Sequence, residues 1–219
     1  MRTLVFVILM GLPMTPCFAE KPAGIDLATV AQESQAAAKA SLATFNQLLT
    51  EENAQRMGFA NPSEAGQSQL GAPLSDFLVG LDALREYQPG KDPMSLLKPT
   101  GQVVYPVKVG ETVRSSVILK KQGNEWKAVS FGSPMLSKAV HGTSETVAKR
   151  DRLAASELFQ VRIPAFNLVF VGQVSSGKLM LTSIADADRY GLKAGATQAA
   201  ADIFARLKPE AERDNGLPR

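Results

Sequence analysis

The alternation of apolar and polar side chains is sharpest between Gly101 and Gly132, where Val103, Tyr105, Val107 and Val109 recur at every second residue and Val113, Val117 and Leu119 share one parity. This period turns one side of each run toward a core and predicts three antiparallel strands. Gly110-Glu111 separates the first two, with glycine in the leading position that a type II′ turn demands. Gln122-Gly123-Asn124 separates the second and third, and Trp126 follows directly.

Elsewhere the period lengthens to that of a helix. From Asp26 to Met57, Leu27, Val30, Ser34, Ala38, Leu42, Phe45 and Leu49 form one stripe and predict a long amphipathic helix. Asn61-Pro62-Ser63-Glu64 starts a short helix, which Gly71 and Pro73 stop. Leu74 to Tyr87 reads as a strand followed by a helical turn, and Asp92-Pro93 opens a brief helix through Leu97. Ser133-Pro134 starts another helix, with a break expected at Gly142, His141 capping its end, and a second helical segment from Thr143 to Ala155. Leu158 to Val171 is β-prone but holds Pro164, which lacks an amide hydrogen, so two strands meeting at a bend are expected. Ser175-Ser176-Gly177 turns the chain into Leu179 to Ile184, and Ala196 to Leu207 closes with a helix that Pro209 ends, before a frayed polar tail from Glu210 to Arg219.

Helices lead into antiparallel strands twice over, without the βαβ alternation of a parallel sheet. The fold class is therefore α+β, an antiparallel sheet packed against a long N-terminal helix and a C-terminal helix. The mature chain from residue 20 to 219 reads as a single domain whose two tightly packed halves would be 20–142 and 143–219, since no Pro/Gly/Ser-rich linker separates them.

Composition adds an address. Met1-Arg2-Thr3 precedes an apolar run of about eleven residues and then Cys17-Phe18-Ala19, the pattern of a secretory signal peptide over residues 1–19. Cleavage after Ala19 would release a periplasmic or secreted protein, with no membrane span and no cysteine for a disulfide, a nucleophile or a metal. The formal charge of +3 includes Arg2, and this near balance does not suggest a nucleic-acid partner.

Candidate chemistry is sparse. Gly172-Gln173-Val174-Ser175-Ser176-Gly177-Lys178 has the spacing of a phosphate-binding loop, but Leu179 stands where Ser or Thr would hold Mg²⁺ and the following residues alternate like a strand. A hairpin turn is the better reading. His141 is the sole histidine and the one side chain suited to proton transfer near neutrality, with Ser144 nearby but in no nucleophile motif. Asp186 and Asp188 are too few for a metal site, so no catalytic residue, cofactor or metal is assigned. Lys108, Arg114, Lys120, Lys121 and Lys127 fall on the central hairpins, as an anion-binding patch or as charge that guards a sheet. Tyr105 and Trp126 could line a pocket beside them or fill the core. The candidate partner surface is accordingly Tyr105, Lys108, Arg114, Lys120 and Trp126.

Leu70-Gly71-x-Pro73, Tyr105-Pro106-Val107, Arg114-Ser115-Ser116, Glu125-Trp126-Lys127 and Gly132 together resemble a group of uncharacterised exported bacterial proteins, over roughly residues 57 to 140. A helix before a bent sheet with a glycine-turn-tryptophan hairpin is also similar to cystatin-like and NTF2-like folds. The long second half departs from a single domain of that kind. The resemblance implies binding modules, inhibitors or enzymes alike. Three functions are expected in descending order: a non-catalytic binding or assembly protein of the bacterial envelope with a protein, peptide or glycan partner; an inhibitor or chaperone of secreted proteins; and a hydrolase using His141.

Overall fold

The structure is a computed structural model and describes residues 27–214; the signal-peptide expectation for residues 1–19 and the end of the tail lie outside them. The fold is α+β, and among the described residues nine strands form one mixed sheet. They are β1 (Ser68–Leu70), β2 (Leu74–Leu78), β3 (Lys98–Val109), β4 (Thr112–Gln122), β5 (Glu125–Phe131), β6 (Phe159–Ile163), β7 (Leu168–Ser175), β8 (Lys178–Ser183) and β9 (Thr197–Ala199). The order across the sheet is β5-β4-β3-β2-β6-β7-β8-β9, with β1 lying on β3 beyond the end of β2. Every pairing is antiparallel except β2 with β6, and that parallel pair joins the first five strands to the last four.

Among the described residues there are four α-helices, α1 (Leu27–Gln47), α2 (Leu81–Arg85), α3 (Pro134–Asp151) and α4 (Ala200–Arg213); α1, α3 and α4 pack on the sheet and α2 packs on α4. Register assigns them to sides, because directly paired residues share a face. Val103 pairs with Ser75 and Ser75 with Phe159, so the α1 core (Phe45, Val103, Tyr105, Leu119) and the α4 core (Phe159, Phe170, Ile203, Phe204) lie on the same face. Leu74 and Val171, of opposite parity, pack with Val140 and Val147 of α3 on the other.

The central hairpins form as the alternation predicts. Gly110 has φ +57° and Gly123 φ +59°, the left-handed backbone that each tight turn needs. Ser176 and Gly177 both have positive φ between β7 and β8, so residues 172–178 are strand, turn and strand, and no helix follows to hold phosphate.

Several boundaries move. α1 ends at Gln47 and not near Met57, because the Asn53 side chain takes the Thr50 N–H and donates to the Leu48 carbonyl, giving the backbone a turn in place of another helical repeat. α3 runs unbroken through Gly142, which corrects both the expected break and the expected capping role of His141, now mid-helix. A glycine costs a helix about 1 kcal/mol, and the buried stripe of Val140, His141, Ser144 and Val147 against the sheet outweighs it. α4 continues past Pro209 to Arg213, so Glu210 to Arg213 is helix and not frayed tail. Arg85 explains this, donating from Nε to the Ala211 carbonyl at 3.0 Å and from a guanidinium nitrogen to the Asp214 carbonyl.

Candidate functional site

β1 was not expected from the sequence, and its end at Leu70 leaves a gap before β2 begins at Leu74. Three cavities meet at Ala72, in the gap between β1 and β2. On the α1 face a cleft of about 610 Å³ runs between Ala31, Gln32, Gln35 and Lys39 of the helix and Ser68 to Pro73. A second of about 330 Å³ continues it past Leu27, Val103 and Leu158. On the α3 face a smaller one of about 90 Å³ is bounded by Pro106, Lys108, His141, Glu145 and Leu158.

The gap has a local cause in Gly71 and Pro106. Gly71 donates its N–H to the Pro106 carbonyl at 2.9 Å, so the returning bond would have to come from the nitrogen that proline lacks. A central strand accepts Pro106 because its missing donor faces the point where the neighbouring strand breaks. The fit is close, since a Cβ on Gly71 would stand 2.7 Å from Pro106 Cγ. The same bond sets the polarity of β1. In an antiparallel ladder bonded and non-bonded pairs alternate, so Leu70 opposite Val107 is a non-bonded pair. Its N–H and C=O point away from β3, toward a side where no strand of the described residues lies.

The five residues singled out on the hairpins do not share one surface. Tyr105 is buried, its hydroxyl bonding the Ala31 carbonyl at 3.0 Å and Ser34 Oγ at 2.8 Å; it ties α1 to the sheet and forms the back of the large cleft. Trp126 is half-buried on the same face, with the Lys121 ammonium 5.8 Å from its ring centre, and borders a separate cleft of about 370 Å³ with Val30, Glu33 and Phe77. Lys108 lies on the α3 face, paired with Glu145 at 3.2 Å and Glu111 at 3.5 Å. Arg114, at a bulge in β4, pairs with Glu64 at 3.0 Å. Lys120 is exposed opposite Lys127, which pairs with Glu125. Carboxylates therefore answer most of these cations where they stand.

His141 is 3% exposed and Nε2 has no hydrogen-bond partner among the described residues. Burial, reinforced by the Lys108 charge, pushes its pKa down to about 4, so the imidazole is neutral at pH 7. The Ser144 hydroxyl donates to the His141 carbonyl, a bond within the helix. Among the described residues no group of three or more His, Cys, Asp or Glu is placed to hold a metal, and no helix is long and apolar enough to cross a membrane.

Sequence reasoning missed one polar cluster entirely. Asp76 on β2 is 2% exposed and accepts from Arg162 Nε at 2.8 Å, Arg162 Nη2 at 2.5 Å, Gln160 Nε2 at 2.8 Å and Thr100 Oγ1 at 2.9 Å. These partners come from β6 and β3, far apart in the chain. Only a charged residue inside an otherwise apolar strand pattern hinted at it. Comparison with family models, curated proteins and solved structures returns no match.

Proposed function

We propose that this protein is a non-catalytic exported binding or assembly protein of the bacterial envelope, and that its partner docks at the notch around Gly71 to Pro73. The observation that supports this is the convergence of three cavities on Ala72, where the ladder of the sheet is interrupted. The acidic groups nearest the notch already serve cations, which suits contact and recognition better than proton transfer. A protein, peptide or glycan partner would bury Leu70, Ala72 and Pro73 and displace water from the cleft beneath α1. The outward-facing backbone of Leu70 favours a second, related reading, in which the protein is an inhibitor or chaperone that holds extended segments of secreted proteins.

Affinity capture from envelope extract tests the proposal, with the immobilised protein compared with Ala72→Arg. Ala72 is exposed, so the added side chain should fill the notch without unfolding the protein. A partner retained by the wild type and lost from the variant is the expected result. Repeated capture of nothing by the wild type, or equal capture by both, would sink it.

A further inference from the structure

The break at Gly71 to Pro73 leaves a slot in the sheet. β6 lies on the outer edge of β2 from Ser75 onward, but the chain before Phe159 leaves through Ala155–Glu157, so among the described residues no strand lies beside β1. α1 flanks this slot on one face and α3 on the other, which suits an occupant one extended strand thick. Leu70 supplies one N–H and one C=O directed into it, the donor and acceptor with which an extended backbone pairs. Lys39 is the one charged side chain lining the large cleft, and it makes no ion pair among the described residues. Its other walls are apolar, amide or hydroxyl groups.

From this we infer that the slot receives an extended peptide segment carrying a carboxylate, which pairs with the free edge of β1 and sets its charge against Lys39. The inference deepens the binding reading and rests on it. Main-chain hydrogen bonds to Leu70 supply the affinity that does not depend on sequence, and the carboxylate supplies direction along the cleft.

The probe is a short acetylated peptide of alternating valine and threonine with a free C-terminal carboxylate, followed by amide chemical shifts of the protein. Saturable shifts at Leu70 and Gly71 are expected. The same peptide with its alternate nitrogens methylated should bind about tenfold more weakly, as the loss of one well-made hydrogen bond predicts. Leu70→Pro should weaken the unmethylated peptide similarly, because that N–H is not part of the β1–β3 ladder. Lys39→Gln should erase the preference for the carboxylate over the C-terminal amide. Equal binding of the methylated peptide to the wild type, which needs no variant to fold, overturns the inference. So do shifts confined to the Trp126 cleft, and so does a dimer that Leu70→Pro dissociates, since a second copy would then be the occupant. Failure with every peptide while capture from extract stays sensitive to Ala72→Arg would leave the binding reading standing and remove only this one.

Discussion

Two residues show how narrowly this interior is built. Gly172 on β7 lies directly opposite Phe159, and a Cβ there would stand 2.4 Å from the Phe159 ring, which is fully buried. Gly172→Ala should therefore cost about 1 to 3 kcal/mol by overpacking, read as a lower urea midpoint; an unchanged midpoint would show that the ring has room to move. His141 gives a pH signature. Its folded pKa of about 4 is below the usual 6.5, so between those values the unfolded chain binds the extra proton. Stability should thus be undiminished above pH 6.5 and fall by about 3 kcal/mol as pH drops to 4. His141→Gln should flatten that part of the curve, and thermal melts of both proteins across the range check it.

At the scale of elements, the last turn of α4 depends on a contact from α2. Pro209 weakens the helix from within, while Arg85 binds the carbonyls of Ala211 and Asp214 and its own carbonyl accepts from Lys208 Nζ. Removing the guanidinium deprives the Ala211 carbonyl of its donor, in the last turn where the helix supplies no N–H of its own. Arg85→Ala should speed hydrogen exchange about tenfold for residues 210–214, with the buried turns at Ile203 and Leu207 unaffected. Exchange that accelerates equally along all of α4 would mean the arginine secures the whole helix.

Across the whole molecule, the halves meet at the parallel β2–β6 pair, and Asp76 is the polar centre of that seam. Its carboxylate binds strands on both sides, and Arg162, about one-third exposed, closes the pair from the outer side. Asp76→Ala should lower stability by about 2 to 3 kcal/mol, because it strips a buried amide and a partly exposed guanidinium of their acceptor, and water can serve only part of the guanidinium. Denaturant unfolding measures this. A loss below about 1 kcal/mol would mean that apolar contacts around Phe77 and Phe159 hold the seam unaided.

The period of apolar residues was enough to determine the α+β class, the three central strands, the β7–β8 hairpin and the buried stripe of α4, because each depends on neighbours within a few residues. Turn glycines were legible for the same reason: positive φ is a local demand. What lay beyond reach was decided by partners distant in the chain. Gly142 and Pro209 are helix breakers by local chemistry, and packing of α3 on the sheet and capture of α4 by Arg85 overrule them. Tyr105 and Trp126 read as core in preference to pocket, and only α1 laid across them shows that each packs in the core and also borders a cleft. The notch was hidden altogether. A three-residue strand carries no period, and Pro106 in a central strand makes sense only once Gly71 is known to stand opposite it. Sequence specified the long segments, whose period is local, and tertiary structure alone decided the three-residue strands and which backbone groups were left without a partner.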